Sequence, residues 1–133
     1  MRIVVTSSGE ELESAVSPIF GRSPSYLLID TETGTVERLG NPGVRAAGGA
    51  GIQAAEYVVR SGAQAVLTGN IGPNAFDVLD AANVAVYLVS GGTVAEAVSA
   101  FRAGSLAQAS GANARPHSGS GLGRRRGGAI PPR

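Results

Sequence analysis

Two glycine-bearing turns hold the main chemical potential of this chain: Gly48-Gly49-Ala50-Gly51-Ile52-Gln53-Ala54 and Gly69-Asn70-Ile71-Gly72-Pro73-Asn74. Each stands at the head of a helical pattern. The first four N–H groups of a helix lack an intrahelical partner, and the macrodipole adds partial positive charge at that end. Two such ends aimed at one edge of an α/β sheet would make an anion site without any charged side chain. Thr6, Ser7 and Ser8 leave the first apolar strand at the edge expected to carry that site. Their hydroxyls are able to donate to an anion, and equally to serve ordinary turn and capping chemistry. Phe20-Gly21-Arg22 precedes the second strand. The planar fork of Arg22 suits an anionic ligand; the rival reading pairs it with an acid among residues 10–13. Arg45 is a weaker candidate for the same role.

Other constellations carry less. Gly49-Ala50-Gly51-Ile52-Gln53-Ala54 matches a dinucleotide fingerprint on paper, but that fingerprint needs a strand immediately before it and an acid about 20 residues later. A long loop precedes it here and residues 68–74 hold no acid. The plain structural alternative is a glycine-rich loop that lets a helix approach a sheet closely. Asp77 and Asp80 are three apart and so neighbours on a helix. Paired carboxylates can bind metal, but near a helix start they more often complement the dipole or face water. A two-metal nuclease needs clustered carboxylates, and Ile3-Val4-Val5-Thr6 offers none. His117 is the single histidine and lies in the tail, which argues against a hydrolytic triad or an imidazole metal site.

Composition sets the frame. The 133 residues suffice for one domain with a core, and 43% are hydrophobic. There is no cysteine, hence no disulfide framework and no thiolate ligand. No apolar run approaches the length of a membrane span, and the start does not resemble a signal peptide, so a cytoplasmic protein is the expectation. The net charge of +1 hides an asymmetry: residues 1–110 carry six arginines and ten acids, whereas residues 111–133 carry five arginines and no acid.

The elements that must position the glycine turns follow from periodicity. Residues 2–7 read as a strand, Tyr26–Ile29 as a second, and Val36–Leu39 as a third returning through Asp30-Thr31-Glu32-Thr33-Gly34. Gly51–Ser61 reads as a helix with Ile52, Ala55 and Val59 inward and Val58 beside them, and Gly62 fits its C-terminal cap. Ala65–Leu67 is a buried strand. Pro73 suits the first position of the next helix, with Phe76, Leu79 and Ala82 inward. Val84–Val89 is another strand. Thr93 and Glu96 form a capping box for a last helix lined by Val94, Ala97, Val98 and Phe101. Continuous apolar strands alternating with amphipathic helices predict an α/β fold: a mixed, mostly parallel sheet with helices on both faces. Residues 1–110 form the domain. Residues 111–133, with six glycines and three prolines, read as a disordered tail.

Three stretches together resemble the dinitrogenase iron–molybdenum cofactor biosynthesis family, which includes NifX-type carriers, the C-terminal part of NifB-type proteins and the orange proteins. They are Ser14-Ala15-Val16-Ser17-Pro18-Ile19-Phe20-Gly21-Arg22, Gly48 to Ala55, and Gly69-Asn70-Ile71-Gly72-Pro73-Asn74-Ala75-Phe76. The resemblance spans about residues 1–110. It implies a ribonuclease-H-like motif without nuclease activity, and binding or carriage of a metal–sulfur cluster without turnover. Family members that ligate such clusters often place histidines before the first helix or a cysteine near the following strand. Here the loop reads Asn41-Pro42-Gly43-Val44-Arg45-Ala46-Ala47-Gly48, so the resemblance points to the orange-protein type, in which an anionic cluster is held non-covalently.

The expected function is therefore a non-enzymatic carrier of an anionic metal–sulfur cluster of the Mo–Cu or Fe–Mo type. Its expected site is Thr6, Ser7, Ser8, Phe20, Gly21, Arg22, Gly48, Gly49, Ala50, Gly51, Ile52, Gly69, Asn70, Ile71, Gly72, Pro73 and Asn74, with Ile52 and Ile71 covering the cluster. No side chain is expected to ligate metal. The alternative is an interaction or regulatory protein of the same fold that no longer binds a cluster and acts on a protein partner through its basic tail. Nucleic acid is disfavoured, because Arg124-Arg125-Arg126 lacks interleaved aromatics, and no membrane partner is expected.

Overall fold

The expected hairpin is one wing of a six-stranded sheet. A computed structural model describes residues 1–41 and 49–113. Gly48, Arg45, His117 and the arginines from Arg115 onward therefore lie outside the described residues. The strands are β1 (Arg2–Ser7), β2 (Ser25–Asp30), β3 (Val36–Gly40), β4 (Ala65–Thr68), β5 (Ala85–Leu88) and β6 (Ala107–Gln108), in the order β3-β2-β1-β4-β5-β6. The helices are α1 (Ala50–Arg60), α2 (Pro73–Ala81) and α3 (Val94–Arg102), with a 3-10 turn at Phe20–Arg22. This is the α/β, ribonuclease-H-like arrangement, with a mixed sheet and helices on both faces.

Parallel pairing runs through the centre, with Val4 opposite Val66 and Val66 opposite Val86. Antiparallel pairing joins β1 to β2, β2 to β3, and β5 to β6. The antiparallel share is larger than expected because of β6, a two-residue strand with both residues exposed. Neighbouring β1 residues serve opposite faces. Val4 joins Leu28, Val66 and Val86 beneath α1 and α2, while Ile3 and Val5 join Leu27, Ile29 and Leu67 beneath α3. With both faces covered, no polar alternation survives in the central strands.

The helix faces differ in detail from the periodicity. In α1 the buried stripe is Ala50, Ala54, Ala55 and Val58, and Ile52 and Val59 are only half-buried. In α2 the buried residues are Ala75 and Leu79, with Phe76 half-buried and Ala82 exposed. Alanine stripes let the two helices lie close to the sheet and to each other, so the small residues take the innermost positions. Thr93 and Glu96 form the expected capping box on α3.

Topology places the glycine turns. β3 runs two antiparallel steps from β1 and so shares its direction. The carboxyl ends of β3, β1 and β4 therefore lie at one edge, and both α1 and α2 begin there. That edge is where ligands gather in open α/β sheets.

Candidate functional site

Close backbone approaches knit the three quoted stretches together. A Cβ on Gly21 would lie 3.0 Å from Gly51 Cα and 3.2 Å from Gly51 N. A Cβ on Gly69 would lie 2.8 Å from Pro18 O. A Cβ on Gly51 would lie 3.4 Å from Ala75 Cβ, so the first turns of α1 and α2 meet. The segment around Phe20-Gly21-Arg22 thus touches both helix-opening turns, and glycine is required wherever backbone meets backbone.

Hydrogen bonds fix this arrangement. Phe20 N–H donates to Asn70 O at 2.9 Å, and Asn70 Nδ2 donates to Pro18 O at 3.0 Å. The Tyr26 hydroxyl donates to Phe20 O at 2.5 Å. Burial pushes the Tyr26 phenol far above its usual range, with a smaller opposing effect from Asn41, so Tyr26 stays a neutral donor. Asn41 Nδ2 donates to Gly21 O at 3.2 Å and Ser23 O at 2.9 Å, tying the 3-10 turn to the end of β3.

Both helix starts carry donors without a partner among the described residues. Gly49, the N-cap of α1, sits at φ 74°, a left-handed conformation that favours glycine. The N-cap residues of α1 and α2, Gly49 and Gly72, supply no side-chain cap. The N–H groups of Ala50, Gly51 and Ile52 have no hydrogen-bond partner among the described residues, nor do those of Asn74 and Ala75. Pro73 contributes no N–H but fits the first helical position.

Other expected residues have different employment. Thr6 is fully buried, with its Oγ1 2.8 Å from Ser17 O and 3.0 Å from Thr68 Oγ1. A hydroxyl carries one proton; the carbonyl can only accept, so Thr6 donates to Ser17 and Thr68 supplies the second proton. Ser7, also buried, donates to Gly9 O at 2.9 Å, and Ser8 donates to Ala15 O at 3.1 Å. These hydroxyls are structural ties. The Ile71 side chain is fully buried in the core beneath α1 and α2, so it does not form a cover over a ligand. The Ile71 N–H is spent on Asn113 Oδ1 at 2.7 Å.

Arg22 is exposed and makes no ion pair among the described residues. The ion pair weighed as its rival belongs to Arg38, whose Nε lies 3.5 Å from Glu10 Oε2. Asp77 and Asp80 are both exposed. Among the described residues, no group of three or more His, Cys, Asp or Glu side chains could hold a metal ion. No helix there is long and apolar enough to cross a membrane. A cavity of about 380 Å³ lined by Leu12, Ile29, Val36, Val98 and Arg102 lies beside the β2–β3 turn, at the opposite edge, and contains none of the expected site residues.

Sequence reasoning missed Asn41, Tyr26, Thr68 and Asn113. Tyr26 and Thr68 look like ordinary strand residues, and no local pattern marks the two asparagines.

Comparison with known proteins agrees with this architecture. The structure resembles the apo form of the orange protein from Desulfovibrio gigas, with 38% identity, a TM-score of 0.83, and coverage of 85% of this chain and 96% of the other. It also resembles a candidate NifB protein from Thermotoga, with 40% identity, a TM-score of 0.71, and coverage of 79% and 90%. An uncharacterized protein of Methanocaldococcus jannaschii is 28% identical over 94 residues, covering 68% of this chain and 80% of its own length. The family described as dinitrogenase iron-molybdenum cofactor matches residues 1–104, and the chain belongs to that family.

Proposed function

We propose that this protein is a non-enzymatic carrier of an anionic molybdenum–sulfur cluster, held mainly by backbone amides at the start of α1 and α2. One observation carries the reading: the first turns of the two helices meet at Gly51 and Ala75, each with amides that have no partner among the described residues. Convergent N–H groups and two helix dipoles favour negative charge at that point. Sulfide ligands of a preformed cluster accept such N–H bonds without any bond from protein to metal. That matches a donor set lacking cysteine and having no His-, Asp- or Glu-based metal cluster among the described residues.

The proposed site is narrower than the sequence expectation. Gly49, Ala50, Gly51 and Ile52 act at α1, with Gly48 as the neighbouring loop residue. Gly72, Pro73 and Asn74 act at α2, where Ala75 adds a donor. Gly21, Gly69 and Asn70 shape the approach, Phe20 anchors the turn in the core, and Arg22 supplies the nearby exposed cation. Thr6 and Ser7 hold the floor together.

Anaerobic incubation with tetrathiomolybdate and cuprous ion tests this function. The expected result is visible absorption that co-elutes with the protein, with molybdenum and copper found by elemental analysis. Colourless, metal-free protein after gel filtration sinks the proposal.

A further inference from the structure

The turn that opens α2 is gripped by one side chain from beyond the expected domain. Asn113 Oδ1 accepts from Ile71 N–H at 2.7 Å, and Asn113 N–H donates to Ile71 O at 3.0 Å. Asn113 Nδ2 donates to Gly69 O at 3.2 Å and to Asn70 Oδ1 at 3.3 Å. The folded part thus reaches at least Asn113, three residues past the expected boundary.

The turn has other supports. Ile71 is fully buried, Asn70 is bonded to Phe20 and Pro18, Phe76 N–H donates to Gly72 O at 3.0 Å, and Val89 N–H donates to Thr68 O at 2.9 Å. Asn113 itself is exposed. Its oxygen therefore occupies an amide at the head of α2 without being the main support of the turn. Ile71 immediately precedes the N-cap Gly72, so Oδ1 stands as a neutral acceptor where an anion's acceptor atom would gain from the dipole. Hydrogen bonds to charged acceptors are roughly twice as strong as those between neutral groups.

We infer that Asn113 is a displaceable stopper of the anion site: its side-chain oxygen holds the Ile71 amide until an anionic ligand takes it. The inference rests on the carrier reading above. Asn113 then sets a threshold, because a neutral acceptor gains nothing by exchange whereas an anion does. The residue acts by occupying a ligand position, so its removal should tighten binding. A merely supporting residue would have the opposite effect.

The test compares the full chain with Asn113→Ala, using tetrathiomolybdate alone as the probe. Absorbance titration should show about three- to tenfold tighter binding in the variant, the worth of one net hydrogen bond. In the wild type, ¹⁵N spectra should show the Asn113 side-chain amide moving to a solvent-exposed position at saturation, while the Ile71 amide stays hydrogen-bonded. Equal or weaker binding by Asn113→Ala, or an unmoved Asn113 amide in saturated wild type, overturns the inference and leaves the carrier reading standing. If neither protein takes up the probe, the carrier reading fails and the stopper fails with it. The wild-type spectra decide the matter even if the variant folds poorly.

Discussion

Gly21 lies against Gly51 so closely that a Cβ on the first would come within 3.0 Å of the Cα of the second. Gly69 stands nearer still to Pro18 O, at 2.8 Å from its would-be Cβ. Both obstacles are backbone atoms and cannot swing aside as a side-chain end would. Gly69→Ala should therefore destabilise more than Gly21→Ala, with losses in the overpacking range of about 1–3 kcal/mol. Urea denaturation of the two variants checks the order. Equal stability of both variants with wild type would mean that the motif glycines are not placed by close approach.

Tyr26 links the core to the same turn through its bond to Phe20 O. Tyr26→Phe leaves that buried carbonyl without its donor, at a cost of about 1–3 kcal/mol. A pH signature should accompany it. Burial raises the pKa of the phenol in the folded state above its ordinary value of 10.0. Its stabilising contribution is therefore complete below pH 10 and is lost as pH rises further, because the unfolded chain releases the proton first. Thermal melts should show a steeper alkaline fall in wild type than in Tyr26→Phe. Parallel falls would remove Tyr26 from the account.

Legibility of the fold follows the physics of each element. Ile3-Val4-Val5 and Ala65-Val66-Leu67 declare themselves because the middle of a strand covered on both faces reads as a continuous apolar run. The starts of α2 and α3 are readable because Pro73 and the Thr93–Glu96 pair have local jobs. The inner face of α1 is read only in part: Ala55 is buried as expected, but hydrophobicity points to Ile52 and Val59 where close packing selects Ala54. β6 escapes because Ala107 and Gln108 are held by backbone pairing with Tyr87 and Leu88, which leaves no mark on side-chain type. At the site, the glycines are legible as motifs but their reason is not, since Gly21 and Gly51 are 30 residues apart and only folding brings them together. Thr6 and Ser7 advertise hydroxyls, but nothing local reveals that those protons are already committed. Asn113 sits in a polar, aperiodic stretch, where one asparagine looks like any other.

Asp30 closes the β2–β3 hairpin by accepting N–H bonds from Glu32 at 2.8 Å and Thr33 at 3.3 Å. Those two bonds, first among several influences, hold its carboxyl below the usual aspartate value. A lowered folded pKa means stability present above the unfolded pKa and lost as pH falls through the folded one. Wild type should therefore lose stability on acidification through the carboxylate range, and Asp30→Asn should show a shallower loss. Denaturation midpoints across an acid series measure it; identical slopes would show the turn to be indifferent to that charge.

Thr6 separates structural ties from ligand donors. Thr6→Val keeps shape but leaves Ser17 O and Thr68 Oγ1 without their buried partner. Stability should fall by about 1–3 kcal/mol. Affinity for tetrathiomolybdate should stay within about twofold, because the hydroxyl proton is committed to the protein and not to the ligand. A binding loss larger than about tenfold, in protein that remains folded, would restore Thr6 as a direct donor. The same variant bears on the floor of the site, since Thr6 joins β1 to both β4 and the segment leading into Phe20.

The basic tail decides between a carrier and an interaction protein, and the place of the cut matters. Removing residues 111–133 would also remove Asn113, confounding loss of the tail with release of the Ile71 amide. A chain ending at Asn113 keeps the described contacts and discards Arg115, Arg124, Arg125, Arg126 and Arg133. Under the carrier reading this shortened protein still takes up the cluster, with a shallower dependence of uptake rate on salt because five positive charges are gone. Under the alternative, wild type takes up no cluster, and the shortened chain loses its protein partner. Stopped-flow absorbance at several salt concentrations reads the first outcome. Full uptake with an unchanged salt dependence would confine the ligand's electrostatics to the helix starts and Arg22; complete loss of uptake would move the working site into the tail.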